Sequence, residues 1–340
     1  MLPNFNKKTA MVLLLGAVFV GGIGFYIASH SNKNPPQSFP DNTPVPTQKV
    51  DPSITETPSF PIDVEIVDQF YCKDNVIYGV VKEATQEPVI IIPSWCNTIE
   101  PEAFENTSCR SIQFAARIDD APIHWAPNEN NKITQVVFPT EPIALEEIDL
   151  TQCNSLLKVS LSINQSDITK VKEVLPKKIS NISISGTITE IPEQSFADLL
   201  YLHQVTLPDS ITAIQSEAFL NCNSLTCFEI PEECSFIADD AFLGCMSLSE
   251  VHFNNMAETF KKDVFINSPV TDYYFPEDFQ SPGPLFARVL LREGETLNIH
   301  VPEGSNLQGE VQNYWQQITS EIVNYDGAYF KRPAFVLISE

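Results

Sequence analysis

Leu207–Phe228 reads LPDSITAIQSEAFLNCNSLTCF, and Ile230–Phe253 reads IPEECSFIADDAFLGCMSLSEVHF. Both segments contain, in the same order, a proline, an alanine–phenylalanine pair, a cysteine and a serine–leucine pair. The two phenylalanines, Phe219 and Phe242, lie 23 residues apart. Repetition at a fixed spacing of this size predicts a solenoid, in which each unit buries its apolar face by stacking on its neighbours.

The same period extends well beyond these two units. Phenylalanine recurs at Phe196 and Phe265, while Phe104 and Leu150 fit the same phase. Each unit also contains two apolar residues separated by one position: Val136/Phe138, Val159/Leu161, Ile182/Ile184, Val205/Leu207, Phe228/Ile230 and Val251/Phe253. Residues two apart point to the same side of a β-strand. We therefore expect a right-handed solenoid of about eight turns, built from short parallel strands with one buried face.

The repeat unit resembles that of the BspA-type leucine-rich repeats, roughly L-P-x-x-I-x-x-I-x-x-x-A-F-x-x-C-x-x-L-x-x-I-x. The likeness is closest in 190–253, and residues 70–81 resemble the hairpin that precedes the family's first repeat. It implies a leucine-rich repeat solenoid of stacked parallel short strands, with turns and short helical returns. Pro127 and Glu173 stand where the pattern has phenylalanine, so those repeats depart from it.

The amino-terminal region contains a candidate membrane span. Residues 10–28 are nineteen residues without a charge, a length that lets a helix cross the hydrocarbon core of a bilayer. Lys7 and Lys8 precede this segment, so the positive-inside rule favours a cytoplasmic amino terminus. We predict a single-pass membrane protein with its repeats on the non-cytoplasmic side. The alternative is secretion after cleavage of a signal peptide near Ser29–Ser31.

Composition then suggests the domain boundaries. The segment after the apolar stretch holds eight prolines among polar residues, which is typical of an extended spacer. The predicted divisions are a cytoplasmic tail (1–9), a transmembrane signal anchor (10–28), a Pro-rich stalk (29–61), an N-terminal hairpin cap (62–92), BspA-type repeats (93–280) and a C-terminal capping segment (281–340).

The charge balance narrows the classes of partner. The chain has 20 basic and 44 acidic residues, a formal net charge of −24. A field of this sign repels the phosphates of nucleic acids and of anionic lipid surfaces. We expect an extracellular protein, a glycan or a cation as partner, no nucleic acid, and membrane contact only through the N-terminal helix.

No motif in the sequence indicates an active site. There is no G-x-S-x-G elbow, and the five histidines are dispersed. The chain has only 12 glycines, and none of them form a glycine-rich motif of the kind that binds phosphate. The acidic pairs Asp239/Asp240 and Glu232/Glu233 fall in predicted turns, where carboxylates are usually solvated. We therefore predict a non-enzymatic protein without a cofactor.

The cysteines favour structural roles. Cys153, Cys222 and Cys245 each follow an anchor position by three residues, which predicts small buried side chains in tight turns. Cys222, Cys227, Cys234 and Cys245 are separated by four, six and ten residues and lack the paired C-x-x-C of zinc knuckles. We predict no metal site. A disulfide between Cys72 and Cys96 is left open.

The outward side of the strands is the candidate ligand surface. Alternation with the buried pairs places a set of mostly polar residues on this face: Lys158, Ser160, Asn181, Ser183, Gln204, Thr206, Cys227, Glu229, Glu250 and His252. A hydrated surface without a ligand is the alternative. The resemblance implies an adhesin-like surface protein that binds a protein or glycan. A structural or assembly factor of the cell envelope, or a small catalytic activity in 281–340, are the other possibilities.

Overall fold

The structure is a computed structural model. It describes residues 63–81, 86–117, 121–254, 259–260, 264–265, 268–276, 296–303, 309, 323–325, 328–330 and 335–339. The predicted tail, anchor and stalk lie outside these residues. Among the residues that are described, no helix has both the length and the apolar character needed to cross a membrane.

The described chain consists almost entirely of short strands. In chain order they are β1 (Glu65–Val67), β2 (Phe70–Lys73), β3 (Val76–Val80), β4 (Val89–Ile92), β5 (Thr98–Ile99), β6 (Ser111–Phe114), β7 (His124–Trp125), β8 (Gln135–Val137), β9 (Lys158–Ser162), β10 (Asn181–Ser185), β11 (Glu190–Ile191), β12 (Gln204–Thr206), β13 (Ala213–Ile214), β14 (Cys227–Ile230), β15 (Phe236–Ile237), β16 (Glu250–Phe253), β17 (Thr259–Phe260), β18 (Asp272–Tyr274), β19 (Leu297–Val301), β20 (Val323–Tyr325), β21 (Ala328–Phe330) and β22 (Phe335–Ser339).

These strands stack into a parallel β-solenoid of about eight turns, which confirms the predicted leucine-rich repeat architecture. Strands β1, β2 and β3 form an antiparallel hairpin arrangement, and β5 and β7 continue that sheet in parallel. The outward face has two parallel sheets, ordered β4-β6-β8-β9-β10-β12 and β14-β16-β18-β19-β22. A third parallel sheet, β11-β13-β15-β17, forms a second side. Strands β20 and β21 pair with each other.

One helical return lies within the described residues. A 3-10 helix, Gln165–Lys170, runs directly into a short helix α1, Val171–Val174. It occupies the unit in which Glu173 replaces the expected phenylalanine. The apolar side chains of Ile168 and Val171 are buried here. These side chains fill the core in place of the missing phenylalanine, so the core continues through this unit.

The register reproduces the sequence period. Asn181 lies opposite Gln204, and Cys227 lies opposite Glu250, so each residue faces the one that stands a full period further along the chain. The twelve predicted inward residues of the paired positions are buried, apart from the half-buried Leu207. Period-two alternation therefore assigned the buried side of these strands correctly.

The phenylalanine column forms a stack along the solenoid axis. Ring centroids are 5.1 Å apart between Phe196 and Phe219, 5.2 Å between Phe219 and Phe242, and 5.2 Å between Phe242 and Phe265. Phe228 meets the edges of Phe219 and Phe242 from the strand side at 5.1 and 4.6 Å. Offset stacking and edge contacts of this kind add to the effect of burying the rings.

The turns need left-handed backbone at the same two positions of successive units. Positive φ angles occur at Gln194, Glu217 and Asp240, and again at Asp198, Asn221 and Gly244. Aspartate and asparagine tolerate this region better than most residues. The Nδ2 atom of Asn221 also donates to Asp198 Oδ1 at 2.9 Å. Polar side chains rather than glycine therefore occupy five of these six positions.

The cysteine column is buried, as predicted. Cys153, Cys222 and Cys245 are fully inaccessible to solvent. The thiols of Cys222 and Cys245 donate to the carbonyls of Phe196 and Phe219, each at 3.2 Å. At the equivalent position of the next unit, a serine hydroxyl donates to the Phe242 carbonyl at 2.8 Å. These thiols thus satisfy buried carbonyls of the preceding turn. The structure has Cys72 and Cys96 as unbridged thiols.

Candidate functional site

The predicted face residues lie on the outward side of the two parallel sheets. Lys158, Gln204, Thr206 and Glu229 are exposed, while Ser160, Asn181, Ser183, Glu250 and His252 are half-buried. The register aligns them in two columns: Lys158, Asn181 and Gln204 in one, and Ser160, Ser183 and Thr206 in the other. Glu229 lies opposite His252.

A break in the sheet divides this face. Strands β12 and β14 are neighbours but belong to different sheets. A groove of about 240 Å³ lies at this junction, and the following residues line it: Asn181, His203, Gln204, Val205, Thr206, Leu207, Asp209, Thr226, Cys227, Glu229, Pro231 and Asn254. The lining is predominantly polar and draws on strands from both sides of the break.

Side chains on the amino-terminal side of the break form a ladder of hydrogen bonds. The Nδ2 atom of Asn181 donates to Gln204 Oε1 at 3.1 Å, and the Ser180 hydroxyl donates to Asn181 Oδ1 at 2.8 Å. Ladders of this kind orient amide and hydroxyl groups on successive strands. This half of the face therefore presents an ordered row of donors and acceptors.

The carboxyl-terminal half contains a ring stack that the sequence analysis missed. His252 stacks on Tyr274 with centroids 4.1 Å apart and planes 3° apart, and Tyr274 stacks on His300 at 3.9 Å and 15°. These rings project from β16, β18 and β19. Because both faces of Tyr274 are covered, this ring presents only its edge to its surroundings.

A charged network accompanies the ring stack. Asp272 accepts from the Thr271 hydroxyl at 2.7 Å and the Asn298 amide at 2.9 Å, and His300 Nε2 lies 3.0 Å from it. Burial raises the pKa of Asp272, but the hydrogen bonds from Thr271, His300 and Asn298 outweigh it and lower the pKa overall. The carboxylate therefore stays ionised on this face.

These residues were missed because the spacing changes. Asp272 follows its partner Glu250 by slightly less than one period, and Asn298 follows its partner Asp272 by more than one period. A pattern with a fixed period of 23 residues therefore assigns the wrong strand partners at both of these pairings. The local alternation was still visible, since the inward residues Tyr273 and Phe275 flank Tyr274.

The four cysteines considered for zinc are not brought together on one surface. Cys222, Cys234 and Cys245 are buried, whereas Cys227 is half-buried on the outward side of β14. Burial, followed by the charges of Glu250 and Glu229, raises the pKa of the Cys227 thiol to about 11. Within the described part of the chain, one group of three metal-ligating side chains does converge, and it consists of Cys227, Glu250 and His252.

Stacked parallel strands with a buried phenylalanine column and a polar outward face define a leucine-rich repeat protein. The sequence profile of the "BspA type Leucine rich repeat region" matches residues 83–173 and 176–284, in six copies. Because these residues make up more than half of the chain, the chain belongs to the BspA-type leucine-rich repeat family.

Several solved structures are similar to this chain. A leucine rich cell surface protein from Faecalibacterium prausnitzii is 16% identical, with 72% of each chain covered and a TM-score of 0.30. The pneumococcal vaccine antigen PcpA is 13% identical, with 78% of this chain and 83% of the other covered and a TM-score of 0.32. A leucine-rich repeat protein from Bacteroides ovatus is 14% identical, with coverage of 77% and 87% and a TM-score of 0.27. No curated protein matches the sequence.

Proposed function

We propose that this chain is a surface-displayed, adhesin-like binding protein that holds an extracellular partner against its outward strand face. The groove between β12 and β14 is the observation that carries this proposal. Hydrogen-bonding side chains such as Gln204 and carboxylates such as Glu229 line this groove together. Solenoids commonly use their extended sheet surfaces in this way.

The chemistry of the face favours a protein partner with a basic surface. Glu229, Glu250 and Asp272 lie on the outward side of adjacent strands, in a chain whose net charge is −24. A sugar ring would need an accessible aromatic face, but both faces of Tyr274 are covered by His252 and His300. Charge complementarity would raise the association rate and select against acidic partners.

The test is binding of the full-length chain to a panel of extracellular proteins and glycans. Substituting Asn181, Gln204, Glu229 and His252 together by alanine is expected to raise the Kd for a bound partner at least about tenfold, or about 1.4 kcal/mol. These side chains are outward, so the variant should keep the far-ultraviolet circular dichroism of the parent.

The matched control replaces Lys177, Glu193 and Asp239, which are exposed but lie outside the strand face, and should leave the Kd unchanged. Equal affinity of the face variant and the parent would refute the proposed surface. Residues 281–340 would then become the candidate region for binding, envelope assembly or catalysis. Deleting them is a poor substitute for this test, because removal of β19 and β22 would uncover the edge of β18.

Display at the membrane forms the second part of this proposal. Its support is the uncharged segment 10–28 and the proline-rich segment 29–61. We expect the repeats of intact cells to be digested by added protease and the amino-terminal peptide to remain in the mature chain. Mass spectrometry that finds a mature chain beginning near Asn32 would refute the anchor and indicate secretion. Full protection of the repeats in intact cells would refute surface display.

A further inference from the structure

We propose that Cys227, Glu250 and His252 form a Zn²⁺ site on the outward face of the solenoid. The potential ligand atoms of these three residues lie within 4.8 Å of one another. The inference does not depend on the proposed binding function, since it concerns the affinity of this chain for a metal ion alone.

The backbone places these side chains together. Cys227 and Glu250 are direct partners in the parallel pairing of β14 and β16. His252 follows Glu250 by two residues and therefore projects from the same side of the strand. All three ligands thus come from paired strands, which hold metal ligands more rigidly than loops do.

The distances suit a metal of this size. With zinc bonds of about 2.0–2.3 Å, ligand atoms in a tetrahedral site lie roughly 3.3–3.8 Å apart. His252 Nε2 and Glu250 Oε2 are 3.6 Å apart. The other pairs of ligand atoms are at most 4.8 Å apart, so they must come closer by on the order of 1 Å to reach the tetrahedral spacing. A rotation of the half-buried Cys227 or Glu250 side chain can supply this movement.

The types of donor atom favour zinc over calcium and magnesium. Thiolate sulfur, imidazole nitrogen and carboxylate oxygen together suit Zn²⁺, whereas Ca²⁺ and Mg²⁺ prefer oxygen ligands throughout. Three protein ligands leave a fourth tetrahedral position for water or for another ligand. Glu229 lies opposite His252 on the neighbouring strand, so its carboxylate is a further candidate on this face.

Neighbouring groups support metal binding at this position. The His252 ring stacks on Tyr274, which restricts its orientation before any ligand arrives. The carboxylates of Glu229 and Glu250 lie on this outward face, and their negative charges attract a dication. The thiol must release its proton when the metal binds, as is general for cysteine ligands.

The test is calorimetric titration of the full-length chain with ZnCl₂, with expected binding of one ion per chain. Cys227→Ser, Glu250→Gln and His252→Gln should each weaken binding at least about tenfold. The control His203→Gln alters an exposed histidine outside this cluster and should retain the parent affinity. Calcium and magnesium at equal concentration should not compete.

Two further measurements identify the ligands. Cobalt substituted for zinc should give a thiolate-to-metal charge-transfer band in the near ultraviolet, which Cys227→Ser abolishes and His203→Gln retains. Zinc should also slow alkylation of Cys227 by iodoacetamide, as followed by peptide mass spectrometry. The absence of zinc binding would overturn the proposal. It would equally be overturned if Cys227→Ser bound zinc as tightly as the parent, because the ion would then be held by surface carboxylates.

Discussion

Replacing Phe219 by alanine is expected to lower the free energy of unfolding by about 3–5 kcal/mol. Its ring is fully buried, stacks between Phe196 and Phe242 at 5.1 and 5.2 Å, and makes an edge contact with a third ring. Removing it leaves a cavity that rings held by neighbouring turns cannot fill without shifting the strands. Urea denaturation followed by far-ultraviolet circular dichroism measures the change.

Tyr201→Ala provides the control, because this aromatic residue is 52% exposed and its loss should change stability by less than about 0.5 kcal/mol. A solenoid transmits stability mainly between neighbouring turns. Hydrogen exchange in the Phe219 variant should therefore rise most in the adjacent strands β12 and β14. A loss of stability below about 1 kcal/mol would show that the stack is not a principal source of cohesion.

The buried half of the fold could be predicted because it depends on local patterns. Residues such as Val159 and Leu161 repeat the same alternation in every unit, and a solenoid converts that repetition directly into stacked strands. The lower limit of the parallel sheet was harder to place, since β4 already pairs with β6 although residues 89–92 lie within the predicted N-terminal cap (62–92). At the other end, β19 and β22 continue the sheet although the spacing of paired residues no longer equals the repeat period.

The outward face could be predicted only in part. The repeat period was sufficient to place Asn181 beside Gln204 and Cys227 beside Glu250. It could not show that the sheet separates between β12 and β14, because that separation depends on backbone hydrogen bonds across turns rather than on side-chain pattern. The stack of His252, Tyr274 and His300 required the irregular registers at β18 and β19.

Gly186→Ala is expected to destabilise the protein by about 2–5 kcal/mol, through backbone strain and overpacking together. Gly186 follows β10 and has a φ angle of +108°, a region that residues with a Cβ atom rarely adopt. A Cβ atom here would overlap the carbonyl oxygen of Ile163 and lie 3.0 Å from its nitrogen. Ile163 is fully buried, and its N–H donates to the Ser185 carbonyl at 3.1 Å. The added Cβ would therefore clash with backbone atoms that cannot move away without breaking this hydrogen bond.

Gly244→Ala supplies a graded comparison for this prediction. Its φ angle is +77°, but the added Cβ would meet the Oδ1 atom of the Asn221 side chain at 2.6 Å. A side-chain amide can rotate away, so the loss should be smaller, about 1–2 kcal/mol. Gly309→Ala, with no atom of the described residues within 4 Å of its Cβ, should be nearly neutral. Urea midpoints of the three variants measured together test this order. A Gly186 variant as stable as the Gly309 variant would contradict the close approach of Gly186 to the Ile163 backbone.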